Sequence, residues 1–350
     1  MWPAVEGLLI EEIDPLDLAP RWETLEARIP HLPFFRSWRW VGCLFAERFT
    51  QPVAYQARIG EDIVGLALCN RRGRRLFLGE SGDAALDAPF IEHNGPLHLP
   101  RPEVEAGLLG ALLRHAGTAR LTLSGIGGET LAAVPGTTFR TQTRVAPWVD
   151  LVAVRAAGGQ HLPLLSANAR HQIRRSLRGL GEPVLRRAAT TADGLKDFDA
   201  MVALHGESWR ARGQPGAFAS PWLLRFHRTL IARAFPRGEV DLLRLEAGAR
   251  VFGYLYNFRS GGRVLAYQSG LATRGLDTHA KPGLSAHALA VQRAADAGDE
   301  AYDFLAGDQR YKRSLANRQT PLHWAEFVPD GSWLGRGLRL ARRCGLLHQT

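Results

Sequence analysis

Ala266-Tyr267-Gln268-Ser269-Gly270-Leu271, followed after a loop by Lys281-Pro282-Gly283-Leu284-Ser285, decides how this chain reads. The first segment has the character of a strand. The second opens a helix, because proline is tolerated in a first helical turn and glycine lets a ligand approach the backbone. The leading amides of a helix have no partners within it, so such a start can hold an anion, and His279 and Lys281 add charge beside it. The same pattern also suits an ordinary capped helix.

Downstream, Ala301-Tyr302-Asp303-Phe304-Leu305-Ala306-Gly307-Asp308-Gln309-Arg310-Tyr311-Lys312 reads as a short strand, a glycine turn and a short helix. Asp, Gly, Tyr and Lys crowded at a strand end suit a site. Asp308 suits a helix N-cap equally well.

Working outward, strands are expected at 5–13, 53–58, 63–69, 74–78, 90–97, 121–123, 138–143 and 148–154. Helices are expected at 16–28, 37–49 and 102–115. A second series follows the glycine pair at 158–159. It has helices at 166–180, 191–212, 220–235, 284–297 and 308–316, and strands at 183–188, 240–245, 250–258, 263–271, 301–305 and 323–328. Each series holds a helix pair and then a hairpin, and Gly65 after Ile63-Val64 parallels Gly253 after Val251-Phe252. That is a weak internal repeat, compatible with duplication. The order of elements predicts an α/β (α+β) fold with mixed sheets, divided as 1–157, 158–330 and a basic C-terminal segment 331–350.

Composition narrows the function. The 350 residues carry a net charge of +10, and 45% are hydrophobic. Three separated cysteines, Cys43, Cys69 and Cys344, imply neither a disulfide framework nor a zinc ribbon. The scattered histidines contain no H-E-x-x-H pattern, and no metal site is expected. No apolar run spans a membrane, and residues 1–14 lack a secretory pattern, so a cytoplasmic protein is expected, with the inner membrane surface as a peripheral site. The spread of positive charge suits acidic small molecules or anionic lipid. Only three of the 44 basic residues are lysines, and two of these, Lys281 and Lys312, fall within the two segments above.

These segments resemble the Acetyltransf_6 group of the GNAT superfamily, which includes CelD-like proteins and is related to Fem-type peptidyl transferases. The resemblance rests on His205…Trp209…Gly213, the hairpin with Gly253, Pro282-Gly283, and Asp303-Phe304…Gly307-Asp308…Tyr311-Lys312. It covers roughly residues 165–328, while the first half matches only in its order of elements. The Arg/Gln-x-x-Gly-x-Gly/Ala loop of standard GNAT enzymes is absent, and Arg274-Gly275-Leu276 is a partial echo.

The resemblance implies two tandem GNAT-like halves and an N-acyltransferase, transferring groups other than aminoacyl. The donor would be an acyl thioester, acyl-CoA or acyl carrier protein, serving as co-substrate with no tightly bound cofactor. It would lie across a splayed strand pair at Tyr267, Gln268, Lys281, Pro282, Gly283, Leu284 and Ser285. The acceptor would be an amine on an envelope, polysaccharide or lipid precursor. His205, Glu207 and Asp308 are base candidates, Lys312 a stabiliser of phosphate or oxyanion, and Tyr311 a proton donor to the thiolate. His205 and Glu207 do not share a helix face, so one of them at most enters the cleft. Packed His205, surface Glu207 and core Tyr311 are the structural alternatives. The rival functions are a Fem-like transferase using charged tRNA, which is the one route to a nucleic-acid partner, a ceramide-forming sphingoid-base N-acyltransferase, and an inactive scaffold of an exopolysaccharide system.

Two arginine-rich helices remain. Arg170, Arg174, Arg175 and Arg178 form a face that suits either a phosphate or plain solvation. At the C-terminus, Leu334, Leu338 and Ala341 form an apolar stripe, with Arg336, Arg339 and Arg343 opposite. This pattern suits either an anionic membrane surface or packing on a sheet.

Overall fold

In the computed structural model, residues 6–87 and 91–344 are described. The chain divides into two compact units, residues 1–144 with 321–350, and residues 145–320.

The first unit begins with β1 (Leu8–Ile13), α1 (Leu18–Glu26), α2 (Trp38–Arg48), β2 (Pro52–Ile59), β3 (Asp62–Arg72), β4 (Arg75–Leu78) and β5 (Leu97–His98). It continues with α3 (Pro102–Arg114), β6 (Arg120–Ile126) and α4 (Gly128–Ala133). Strand β7 (Thr137–Asp150) then carries the chain into the second unit. There follow α5 (Leu151–Ala156), α6 (Ala167–Gly179), β8 (Val184–Arg187), α7 (Thr191–Arg210), α8 (Pro221–Ala234), β9 (Val240–Ala247) and β10 (Arg250–Ser260). The unit ends with β11 (Arg263–Leu271), α9 (Pro282–Asp296), β12 (Ala301–Asp303) and α10 (Arg310–Leu315). Strand β13 (Arg318–Val328) returns to the first unit, which closes with α11 (Trp333–Arg343).

Each unit is a mixed α/β sheet, as the alternation of helical and strand patterns requires. The first orders its strands β1-β2-β3-β4-β6-β13, with β5 against β3. Only β4 and β6 run parallel among these register pairs. The second orders β7-β12-β11-β10-β9-β8, with β11 and β12 parallel. A parallel pair needs a crossover, supplied by α3 in the first unit and α9 in the second.

The two hairpins also share an irregularity. The ladder slips one residue beside Gly65, between Ala57 and Arg58, and beside Gly253, between Val251 and Gly253. Gly253 lies at φ 154°, and a Cβ there would stand 2.7 Å from the Gly270 carbonyl oxygen. Glycine is the residue that tolerates both conditions.

In the second unit, neighbouring residues of β10 face opposite layers, as strand geometry dictates. Leu255 joins Ile173 of α6 and Val291 of α9 in an aliphatic core. Tyr256 meets Phe198 of α7 and His227 of α8. No helix among the described residues is long and apolar enough to cross a membrane.

Several local expectations change. Residues 151–154 are helical rather than strand, because Asp150 caps α5 by accepting the Ala153 amide. Residues 137–150 form one continuous strand, and α4 appears where no helix is expected. The strand expected at 90–97 reduces to Leu97–His98, with Phe90 outside the described residues, as are Val5 and residues 345–347 of the expected C-terminal helix. Gly158 and Gly159 sit inside the second unit, in the turn after α5. The division falls within β7, and residues 321–328 pair with β6 of the first unit.

Candidate active site

Strand β12 pairs with β11 at only three positions, Arg263–Ala301, Val264–Tyr302 and Leu265–Asp303. Beyond them the strands follow different partners. β11 continues along β10, with Ser269 opposite Leu255 and Leu271 opposite Gly253. The chain after β12 stays with β7, since the amides of Phe304 and Gly307 donate to the carbonyls of Pro147 and Val145. The edge of β11 over Ala266–Leu271 therefore lacks a β12 partner, and a notch opens between the two strands. A bulge at Tyr267, where Tyr256 pairs with Gln268 and Asn257 with Ala266, re-aims the strand at that place. Tyr267 is buried beside His227, and Gln268 is half-buried.

Helix α7 lies close against this edge. A Cβ at Gly270 would stand 2.0 Å from the Met201 carbonyl oxygen, so glycine sets the approach of helix to strand. One turn on, His205 is 6% exposed, and its Nδ1 donates to the Ser269 carbonyl at 3.0 Å. A carbonyl can only accept, so Nδ1 carries the proton and Nε2 presents a lone pair. That Nε2 is buried and has no hydrogen-bond partner among the described residues. Phe218 and Trp209 flank the ring at centroid distances of 5.3 and 5.8 Å. Burial pushes the His205 pKa below its ordinary value, the Ser269 carbonyl opposes that shift, and the Arg212 charge adds to it. The ring is thus a neutral base at neutral pH. Glu207, two residues along, is exposed, as helical spacing requires.

The far lip of the notch is built after β12. Asp303 is fully buried, and its carboxylate accepts from Arg263 at 2.9 Å and from the Leu305 amide at 2.8 Å. Leu305 adopts φ 60°, a strained value for a branched side chain. Lys312, 7% exposed, donates from Nζ to the carbonyls of Leu305 at 3.1 Å and Ala306 at 3.0 Å. Tyr311 stacks on His287 of α9 at 5.1 Å, and burial pushes its phenol up to about 12. His287 Nδ1 meets the Tyr302 hydroxyl at 3.1 Å. Asp308 is exposed, and Gln309, not Asp308, occupies the N-cap position of α10.

At the other end of β11, α9 starts at Pro282 with Lys281 in the cap position and no side chain capping it. Gly283 faces the end of β11, where an added Cβ would stand 2.9 Å from Leu271 Cδ1. Leu284 is buried in the aliphatic core. The Ser285 hydroxyl is 2.8 Å from that of Ser176 on α6, so it serves helix packing. The Lys281 amide donates to Ser176 at 2.8 Å, and its ammonium reaches Gln172 at 3.0 Å. Arg175 contacts His279 in the loop before α9, and Arg174 and Arg178 are exposed on the same helix. The basic face of α6 thereby lies beside the helix start. Asp303 and His287, together with Ser269, Arg263 and Leu305, belong to this arrangement although motif reading does not single them out as site residues. His287 sits on the buried side of α9 with Leu284, Ala290 and Val291, a polar residue in an apolar stripe. Among the described residues no group of acids, histidines and cysteines could hold a metal.

The splayed strand pair, the bulge and the exposed helix start define a GNAT-type acyltransferase. Residues 167–313 match the family model described as an acetyltransferase (GNAT) domain. No curated protein matches the chain by sequence. Among solved structures, FemX is similar over 94% of this chain and 99% of its own, with a TM-score of 0.59 and 10% identity. A conserved protein from Bacteroides thetaiotaomicron is similar over 91% of this chain and 99% of its own, at TM-score 0.54 and 12% identity. The C-terminal domain of an assigned lysylphosphatidylglycerol synthetase from Agrobacterium fabrum covers 79% of this chain and 85% of its own, at TM-score 0.51 and 13% identity. At such identities the likeness is one of fold.

Proposed function

We propose that the chain transfers an acyl group from an acyl thioester, acyl-CoA or acyl carrier protein, to an amine. The acyl group is other than aminoacyl, and the amine belongs to an envelope, polysaccharide or lipid precursor. The reading is carried by one observation, the neutral His205 imidazole held by Ser269 on the unpaired edge of β11. The thioester arm lies along that edge. Its phosphates meet the open start of α9, with Lys281, His279 and the arginines of α6 as counter-charges. The amine attacks the thioester carbon and gives its proton to His205 Nε2. Tyr311, kept protonated by its raised pKa, donates a hydrogen bond to the departing thiolate, which takes up the proton that the amine released through His205. Lys312 holds positive charge beside the turn where the oxyanion forms. Glu207 and Asp308, both facing solvent, take no part in this scheme.

The test is donor binding followed by turnover. Native mass spectrometry and calorimetry with CoA and with loaded carrier protein should find one saturable donor. Single-turnover transfer to an amine panel should then lose at least about 100-fold in His205→Gln with the donor affinity kept. Absence of saturable binding by either thioester overturns the donor assignment. Full turnover in His205→Gln removes the base.

A further inference from the structure

Helix α11 carries two apolar stripes, and the sequence pattern marks the inner one. Leu334, Leu338 and Ala341 are half-buried, and Gly335 is buried where a Cβ would stand 2.5 Å from the Pro329 carbonyl oxygen. Arg339 is tied on this side by Asp330 at 2.6 Å. An adjoining face carries Trp333, Gly337, Leu340 and Cys344, at i, i+4, i+7 and i+11, and all four are exposed. Trp333 is 83% exposed and Leu340 64%, an unusual cost for a tryptophan and a leucine on one helix face. Exposed Arg336 flanks this stripe, and its guanidinium reaches the Gly331 carbonyl at 2.8 Å. The sequence adds Arg342 and Arg343, and residues 333–343 contain no acid.

We propose that this outward stripe is a docking surface for an anionic lipid bilayer, on which α11 lies in the plane of the headgroups. Trp333 and Leu340 enter the boundary between headgroups and acyl chains, where an indole ring is favoured. Arginines at the flanks meet lipid phosphates. Charge selects this occupant over a second copy of the chain. Two copies of an acid-free helix with four arginines would bring like charges together across the seam. The inner stripe keeps the helix attached to its unit while the outer one is engaged. This inference is independent of the acyl-transfer assignment, because it concerns a face that the reaction does not use.

Flotation of the full chain with vesicles of phosphatidylcholine, alone or mixed with phosphatidylglycerol, tests it. Wild type should float with the anionic vesicles, and binding should weaken as salt rises. The double change Trp333→Ala with Leu340→Ala should lower the partition coefficient at least about tenfold. Arg336→Gln should lower it by about threefold to fivefold. Leu16→Ala, which removes another exposed leucine of the same unit, should leave flotation unchanged. An unchanged thermal melt of each variant shows that the fold persists. Equal flotation of the double variant overturns the proposal, as does equal binding to neutral vesicles or no flotation by wild type. A concentration-dependent dimer that the double variant abolishes assigns the face to a second copy instead.

Discussion

Lys312 holds Leu305 in place: its ammonium lies 3.1 Å from the carbonyl of a residue whose φ of 60° branched side chains avoid. The charge is almost wholly enclosed, so its hydrogen bonds to Leu305 and Ala306 compensate for lost water. Lys312 therefore shapes the lip of the notch as well as charging it. Lys312→Met should remove about 2 kcal/mol of stability. In a unit of this size that corresponds to a drop of roughly 5 °C in melting temperature. Transfer should fall at least about 100-fold. A melt within one degree of wild type together with full activity would show that neither carbonyl bond matters.

The hydrogen bond from His205 to Ser269 sets a pH dependence. Burial lowers the pKa of this imidazole, so the ring is neutral at pH 7. The acidic limb of the rate profile should have its midpoint below about 6.5, the ordinary histidine value. In His205→Gln that limb should disappear along with most of the rate. A limb at or above 6.5 in wild type would assign the proton transfer to another group.

Two further imidazoles make the second unit sensitive to acid. His227 and His287 are buried, and desolvation lowers each to about 3, with the Lys312 charge adding to the shift at His287. In the unfolded chain they titrate near about 6.5. Between those values the unfolded state binds more protons, so stability is complete above about pH 6.5 and declines as the pH falls toward 3. The slope is about 1.4 kcal/mol per pH unit for each histidine. His287→Leu should flatten the decline by one histidine's share in denaturant titrations at pH 4, 5 and 6. An unaltered slope would mean that His287 is protonated in the folded chain.

Gly270 and Gly283 separate packing from ligand binding. Gly270→Ala drives a methyl into the Met201 carbonyl and should cost about 3 kcal/mol or more. At Gly283 the neighbour is a leucine methyl, which can shift, so Gly283→Ala should fold nearly as well as wild type. Gly283→Asp adds negative charge at the open start of α9 and should weaken donor binding at least about tenfold. Unchanged donor affinity in Gly283→Asp would make α9 an ordinary capped helix.

The long periodic elements were readable because their patterns record burial directly. α6 and α7 have serine and threonine caps at their expected starts, and β9, β10 and β11 alternate between the two layers. The short apolar run at 151–154 was not, since Leu-Val-Ala-Val suits either period and the decision rests on the Asp150 cap. Helix α4, six residues long, is too short to show a period. In the candidate site, motif spacing singles out His205 and Lys312, yet not what they touch. The Ser269 carbonyl and the Ser176 hydroxyl that engages Ser285 come from elements distant in sequence, and the turn at Leu305, although close to Lys312, takes a positive φ that the residue type does not announce.

The division of the chain has a consequence for its synthesis. The first unit contains residues from both ends of the sequence, and β13 is the strand that covers β6. On the ribosome, residues 1–144 emerge first but lack that strand until residue 328 has been made. At roughly 5–20 residues per second, β6 waits on the order of ten to forty seconds for its neighbour. The second unit, continuous from 145 to 320, has its own strands in hand before then. The order of completion is thus the reverse of the order of emergence, and the nascent first unit exposes an unpaired strand edge meanwhile. Ribosome-bound chains stalled with residue 320 emerged, and residues 321–328 of β13 still in the exit tunnel, should present a protease-resistant later half and a cleavable earlier one.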